Sequence, residues 1–277
     1  MTKQIVVRLV KNKKSLVGLI LFGILVFCAI FAPLIAPYGY NQMDPLNIYA
    51  GPSLAHPFGT DNLGRDLLSR LIYGARWSLG LGLLGACLSA VVGVIIGLII
   101  GYYGGFTDMF AMRVIDIWAS IPSQLLAILI STGLGAGFTN TIIAMTIGNI
   151  PAYVRISRAM CLKERSMEYI EAEKSINCSD FGIMIRHVLP NIFAPVIVTT
   201  TMKVASVIMQ CAGLSYLGLG VQPPSPEWGA MLSAGRDFIR KYPHLLIAPG
   251  AAIGIAALSV NMIGDGLRDA LDPRLKN

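Results

Sequence analysis

Charged residues are the scarcest feature of this sequence. Asp, Glu, Lys and Arg make up 13% of its 277 residues, against roughly 25% in soluble domains. None of the four occurs between Trp77 and Thr107, between Ile117 and Val154, or between Pro243 and Gly264. A membrane-spanning helix needs about 20 apolar residues in a row, and soluble cores rarely need such runs. The composition therefore excludes an ordinary soluble protein and indicates a polytopic membrane protein.

Residues that build catalytic or metal sites are also few. The three histidines, His56, His187 and His244, fall in three different regions, and none of the five cysteines form a CxxC pair. We expect no metal site, cofactor or disulfide, with the cysteines serving as small apolar filler. Asp, Glu and His are almost missing from the apolar runs, which argues against a membrane enzyme. No Gly is followed by Lys, so the chain has no P-loop and is not expected to hydrolyse ATP.

The apolar runs predict an all-α protein with six membrane spans. The spans lie at about 15–37, 77–103, 112–134, 138–156, 192–217 and 244–263. The first follows Lys11, Lys13 and Lys14, as a signal peptide would. Its apolar run is longer than a signal peptide needs, and "FAPLIAPYGY" is a poor cleavage site. We therefore expect a retained helix, followed by one bundle over residues 76–265.

Lysine and arginine predict the orientation of the bundle, because they are enriched in cytoplasmic loops. They cluster in residues 1–14, in the loop 155–187 and in the tail 266–277, and fewer occur in the loops between. Six spans place these three segments on one side, so both termini are predicted to be cytoplasmic. The net charge of +7 then indicates topology and contact with anionic lipid, not nucleic-acid binding.

Two stretches near the second span carry further patterns. In the external loop 38–75, "TDNLGRDLLSRLIYGAR" predicts an amphipathic helix with Asp61/Arg65 and Asp66/Arg70 pairs, lying in the membrane interface or packed on the bundle. The second span itself carries a small residue at every fourth position: Gly85, Ser89, Gly93, Gly97, Gly101 and Gly105. Such a stripe favours close helix packing, either static or as a surface along which helices slide.

A polar interlude, "EYIEAEKSINCSDFGIMIRHVLPN", separates the fourth and fifth spans. Residues 165–176 are compatible with a helix, and Asn177 is suited to the left-handed position that ends one. Ser179 is a good N-cap for a second helix, with Asp180 in its first turn. Pro190 stands where the fifth span begins. The pattern predicts a compact cytoplasmic helix pair at about 160–190, tied closely to both spans.

This interlude resembles the EAA loop of bacterial ABC importer permeases. That pattern is Glu-Ala-Ala, three residues, Gly, nine residues and Ile-x-Leu-Pro, and Glu171, Ala172, Leu189 and Pro190 match it. Three positions depart from it, with Glu173 for the second Ala, Asn177 for the Gly and His187 for the Ile.

Three longer stretches narrow the resemblance to the C-type permeases of dipeptide, oligopeptide and nickel importers. They are "HPFGTDNLGRDLLSRLIYGAR", "LSYLGLGVQPPSPEWGAML" and "GDGLRDALDPR". Relatives commonly carry an acidic residue just before the second stretch, where this chain has Gln210 and Cys211.

The resemblance implies a type I ABC importer permease in a bacterial inner membrane. It also implies a second related permease as heterodimer partner, two cytoplasmic ATPase subunits and an external solute-binding protein. The EAA loop would be the coupling helix that docks on an ATPase. The residues implied in docking are Glu168, Ile170, Glu171, Ala172, Asn177, Leu189 and Pro190. A stand-alone channel or secondary transporter would need no such docking site.

Polar residues inside spans are candidates for the translocation path. They are Lys203, Gln210 and Asn261. Lys203 either meets a peptide carboxylate or snorkels and pairs within the complex, and the amides either touch cargo or join helices. The external stretch "GVQPPSPEWG" is interpreted as a rigid cap or a contact for the binding protein, with Trp228 suited to an interface belt. Di- or oligopeptides are the expected cargo, with nickel or a metal chelate as the alternative.

Overall fold

The structure, a computed structural model, describes residues 2–271 as α-helices joined by turns. These residues hold no β-strand, only an isolated bridge between Thr60 and Asp66, so the all-α class is confirmed. Arg274 and Lys276 of the predicted tail lie outside the described residues. The helices are α1 Thr2–Lys11, α2 Lys13–Ile35, α3 Leu67–Tyr103, α4 Gly105–Ala119, α5 Ser123–Leu134, α6 Phe138–Arg165, α7 Glu168–Ser175, α8 Asp180–Ile183, α9 Leu189–Tyr216, α10 Trp228–Gly235 and α11 His244–Leu271.

Among residues 2–271, four helical stretches are long and apolar enough to cross a membrane: α2, α3, the stretch from α8 through α9, and α11. The bent pair α4 and α5 would make a fifth. With 28 residues, α6 is long enough but is not among these stretches, because Asn140, Asn149 and its charged C-terminal half make it more polar. The apolar spans are therefore present, while the total of six stays a prediction.

The third span differs from its prediction as one helix over 112–134. Two helices, α4 and α5, meet there at a bend of 79°. Pro122 precedes α5 with an extended ψ of 132°, and a proline also disfavours helical conformation in the residue before it. The break therefore falls at residues 120–122, and the apolar run alone did not reveal it.

The amphipathic helix predicted over 60–76 is shorter than expected and is not separate. The helix begins at Leu67 and continues without interruption to Tyr103 as α3. Its start is fixed by Asp66, whose carboxylate accepts hydrogen bonds from the Ser69 amide and hydroxyl, both at 2.7 Å. Residues 60–66 form a turn before it.

The small-residue stripe of α3 is a packing surface for α6. A Cβ added to Gly97 would lie 2.5 Å from the carbonyl oxygen of Val154, and one added to Gly93 or Gly101 would lie 3.0 Å from a carbonyl oxygen of α6. This tight fit supports static packing. Gly105 does not belong to the stripe, since α3 ends at Tyr103 and Gly105 opens α4.

Both ends of the described chain lie at one end of the bundle. The Asn12 side chain, before α2, donates a hydrogen bond to Asp269 near the end of α11 at 3.3 Å. At the other end, Arg76 near the start of α3 donates to the Ile30 carbonyl at 2.8 Å. The arrangement agrees with an even number of crossings between the two termini.

Candidate functional site

We call residues 165–191 the coupling segment; it is built around one sharp turn. Asn177 is left-handed, with a φ of 59°. The amide of Cys178 donates to the Glu173 carbonyl at 3.1 Å, and the amide of Asn177 to the Lys174 carbonyl at 3.0 Å. This pair of bonds is the Schellman ending of a helix. Ser179 then caps α8, its hydroxyl accepting from the Gly182 amide at 3.2 Å. The predicted turn and cap are confirmed.

The second helix of the predicted pair is not free-standing. A π-helical turn, Met184–Val188, joins α8 directly to α9. The second helix is therefore continuous with the predicted fifth span. The Leu189 amide donates to the Met184 carbonyl, five residues back. Pro190, just after this turn, has no N–H and its ring crowds the carbonyl four residues earlier in an α-helix. A wider turn at this point accommodates the proline without breaking the column.

Ile170 anchors α7 to the bundle. Its side chain is fully buried in a cluster from α3, α6, α8, the π turn and α9: Val94, Leu98, Tyr102, Cys161, Ile183, Met184, Val188, Ile192 and Val196. Two polar bonds add to it. The Tyr102 hydroxyl donates to the Asp180 carboxylate at 2.7 Å, and the Asn191 amide donates to the Tyr169 hydroxyl at 2.9 Å. A displacement of α7 must therefore reach α3, α6 and α9.

The outer face of the coupling segment is acidic and apolar at once. Glu168, Glu171 and Ala172 are exposed on α7. Ile176 is 75% exposed and Phe181 is 70% exposed, one on each side of the Asn177 turn. Large apolar side chains this exposed beside charged ones are typical of a protein contact. Neither residue was predicted from the sequence, although both flank the predicted turn.

The remaining predicted docking residues have different surroundings. Ile170 is an internal anchor, Asn177 shapes the turn, and Leu189 is half-buried against the same apolar cluster. Pro190 is exposed. The predicted docking residues therefore fall into two groups. Some lie on the exposed outer face, and others support that face from within the segment.

An ion pair supports the same end of the bundle. Asp108 of α4 and Arg158 of α6 form a hydrogen-bonded pair. Asp116 and Arg155 make a second bridge between the two helices at 2.8 Å. These bridges fix α4 beside the helix that leads into α7.

A group of metal-binding side chains lies beneath the outer face, although the sequence predicts no metal site. Glu173, Cys178 and His187 each place one ligand atom within 4.8 Å of the others. The His187 Nε2 atom lies 3.5 Å from the Glu173 carboxylate. Separation along the chain concealed the cluster, which only the turn at Asn177 brings together.

The candidates for a translocation path do not form one site. Gln210 is hydrogen-bonded to its neighbours: its side-chain oxygen accepts from Asn149 of α6 at 3.3 Å, and its backbone oxygen accepts from Gln124 of α5 at 3.5 Å. Lys203 is half-buried and Asn261 is exposed. Within residues 2–271 no hydrogen bond joins Lys203 or Asn261 to this amide cluster, of which Gln124 was missed from the sequence. A pore role for Lys203, Gln210 and Asn261 stays a prediction.

Residues 56–70, which we call the latch, lie at the opposite end of α3. Asp61 pairs with Arg65 at 2.7 Å, and Arg70 lies 3.6 Å from the same carboxylate. The predicted Asp66/Arg70 pair is wrong, because Asp66 caps α3 and contacts His56 at 3.0 Å. All five side chains are buried. Burial lowers the pKa of Arg70 to about 10, so it remains charged at neutral pH.

The stretch 218–228, which we call the cap, is fastened to the start of α3. Trp228 is 1% exposed, and its indole N–H donates to the Leu71 carbonyl at 3.0 Å. Its assignment to an interface belt is therefore wrong. The Glu227 carboxylate accepts from the Ser78 hydroxyl at 3.1 Å and from two amides of α10. Burial raises the pKa of Glu227.

Comparison with known proteins gives two family matches. Residues 93–277 match the model of the binding-protein-dependent transport system inner membrane component. Residues 1–52 match the N-terminal transmembrane domain of oligopeptide transport permease C.

Curated relatives align along most of the chain. A dipeptide transport system permease protein of Alkalihalophilus pseudofirmus is 44% identical over 270 residues, 98% of this chain and 89% of that protein. A di/tripeptide transport system permease protein of Pseudomonas aeruginosa is 44% identical over 96% of this chain and 90% of its own length. A glutathione transport system permease protein of Escherichia coli is 46% identical over 91% of this chain and 84% of its own length.

Proposed function

This chain belongs to the family of binding-protein-dependent transport system inner membrane components, and from that membership we propose a specific role. It is the permease subunit of an ABC importer that carries di- or oligopeptides into the cell. Energy comes from two partner ATPases, and a second related permease completes the pore. The observation that carries the proposal is the coupling segment, with an exposed outer face on a buried anchor.

The geometry supports a push mechanism. One ATPase would hold the outer face of α7 and move it when the ATPase dimer closes. Because Ile170 packs in one cluster with α3, α6 and α9 and the Tyr169–Asn191 bond joins α7 to α9, the movement would rock the bundle between its two access states. A flexible loop would absorb the same displacement.

The position of the coupling segment supports one orientation of the bundle in the membrane. Ala194 and Pro195, at the start of α9, line the same cavity as Arg268 and Leu271, at the end of α11. The segment therefore shares an end of the bundle with both described termini. ATPases act in the cytoplasm, so we propose that both termini are cytoplasmic and that the latch and the cap are external.

Peptide cargo is supported by the relatives, whose names give dipeptides, di/tripeptides and glutathione. A peptide carries a carboxylate, and Lys203 is the candidate on α9 to meet it. Nickel or a metal chelate remains the alternative, because the binding protein selects the cargo that reaches the pore.

The experiment is to purify the chain with its partners from the native membrane under mild extraction. ATP hydrolysis is then measured with binding protein, with and without dipeptides, and separately with nickel. We expect a P-loop ATPase to co-purify and dipeptides to stimulate it, while nickel does not.

A Glu171→Arg variant places a positive charge on the outer face and should uncouple hydrolysis from cargo. Its matched control is Asp237→Arg, the same charge reversal at an exposed position between α10 and α11. The role is contradicted if no ATPase accompanies the chain and Glu171→Arg transports as well as the wild type.

A further inference from the structure

The cluster of Glu173, Cys178 and His187 joins three parts of the coupling segment. Glu173 lies in the last turn of α7, Cys178 follows the left-handed Asn177, and His187 lies in the π turn that leads into α9. All three side chains are half-buried. A single ion bound by all three would link the end of α7 to the π turn at the start of α9.

The distances suit a zinc ion after a small adjustment. Zinc binds Cys sulfur at about 2.3 Å and His nitrogen or carboxylate oxygen at about 2.0–2.2 Å, in tetrahedral geometry. Ligand atoms in such a site lie roughly 3.3–3.7 Å apart by that geometry. The Glu173–His187 separation is already 3.5 Å, and all three ligand atoms lie within 4.8 Å of one another. Side-chain rotations that move the ligand atoms by about an ångström would bring all three separations into this range.

The backbone holds the ligands in place without the metal. The Cys178 amide bonds to the carbonyl of Glu173 itself at 3.1 Å, which fixes one ligand directly beside another. Ile183, just before the π turn, and Met184, its first residue, are buried in the cluster that also holds Ile170. Such pre-organisation reduces the cost of ordering the site on binding.

Two of the ligands are departures from the EAA pattern. Glu173 stands where the pattern has Ala, and His187 stands where it has Ile. The structure brings these two departures into contact with each other. An ion pair accounts for both of them but leaves out Cys178, whose thiol makes no hydrogen bond among the described side chains. A metal accounts for all three.

We propose that Glu173, Cys178 and His187 bind Zn²⁺, with the fourth coordination position open to water. Three protein ligands and an open position are a known zinc arrangement. Binding deprotonates Cys178 and fixes the end of α7 against α9. The site rests on geometry, while its effect on transport, a stiffer coupling segment, rests on the proposed function.

The test uses the intact transporter, purified without a polyhistidine tag and stripped of metal. Zn²⁺ is titrated against a chromophoric chelator for the wild type, Cys178→Ser, His187→Ile and Glu173→Ala. The last two restore the residues of the EAA pattern and should fold. The control is Cys87→Ser, an exposed cysteine of α3 that is not part of the cluster. We expect Cys178→Ser and His187→Ile to weaken zinc binding by at least about tenfold, since loss of even an outer-shell partner costs that much.

A second measurement follows alkylation of Cys178 by a small thiol reagent, read by mass spectrometry. Zn²⁺ should slow this reaction in the wild type and in Cys87→Ser, but not in His187→Ile. Equal zinc affinity in the wild type and His187→Ile, or alkylation of Cys178 at one rate with and without Zn²⁺, would overturn the proposal. Neither readout depends on transport, so failure of the zinc site and failure of the importer assignment are distinguishable.

Discussion

The latch and the coupling segment use charged side chains in opposite ways. In the latch, Asp61, Arg65 and Arg70 are all buried, and both arginines pair with the Asp61 carboxylate. On the coupling segment, Glu168 and Glu171 are exposed beside Ile176 and Phe181. Removing one partner of a buried ion pair costs stability because the other charge stays buried and unpaired. Exposed acidic and apolar side chains contribute little to the stability of the fold. The comparison teaches that buried ion pairs stabilise one end of the bundle, while the other end exposes the face that we propose contacts a partner.

The largest loss of stability is expected from Trp228→Ala in the cap. Truncating a buried Trp costs about 3–5 kcal/mol in folded proteins, and this one also donates to Leu71. The melting temperature in detergent should fall clearly. Trp228→Phe, which keeps most of the apolar volume, should lose less. Equal melting temperatures for Trp228→Ala and the wild type would show that the cap does not hold α3.

Ile170→Ala is the matching change beneath the outer face. Removing this buried side chain should cost about 2–5 kcal/mol locally, and it detaches α7 from α3, α6 and α9. We expect hydrogen exchange in residues 165–180 to rise while exchange in the latch stays unchanged. Ile170→Val, a smaller truncation, is the control. Faster exchange spread evenly over the bundle would contradict a local anchor.

Asn177→Ala tests the turn of the coupling segment, and its expected loss of stability is smaller than that of Ile170→Ala. An L residue other than Asn or Gly pays roughly 1–2 kcal/mol for a left-handed conformation, and the φ of Asn177 is 59°. Asn177→Gly, the residue of the EAA pattern, should be neutral or slightly stabilising. Thermal melting of the two variants side by side decides the point. If Ala and Gly behave alike, the turn does not depend on the conformation of residue 177.

The smallest effect on stability is expected from the exposed face. Glu171→Ala and Phe181→Ser should change stability by within about 0.5 kcal/mol, as surface substitutions usually do. Both should still reduce cargo-stimulated ATP hydrolysis, because the face they alter is the proposed contact. A variant that melts at a lower temperature but couples normally would show that this face stabilises the chain and does not contact the ATPase.

Local features of this fold were predictable from the sequence, and long-range contacts were not. The Asn177 turn and the Ser179 cap follow from the residues themselves, as do the apolar helices. The burial of Trp228 depends on Leu71 and Ser78, about 150 positions away, so its amphipathic character suggested a membrane interface instead. The predicted Asp66/Arg70 ion pair is wrong because the Asp66 carboxylate caps the start of α3. Glu173 and His187 meet only through a turn followed by a π turn, which no periodicity encodes.

The central claim is that the outer face of α7 contacts an ATPase, and cross-linking tests it directly. Ala172→Cys would be made in a chain whose Cys28, Cys87 and Cys178 are Ser, with Leu54→Cys, an exposed position before the latch, as the matched control. After treatment of native membranes with a short bifunctional thiol reagent, we predict that Ala172→Cys joins the chain to a P-loop ATPase and that Leu54→Cys does not. A chain that transports peptide while Ala172→Cys yields no ATPase adduct would contradict the account.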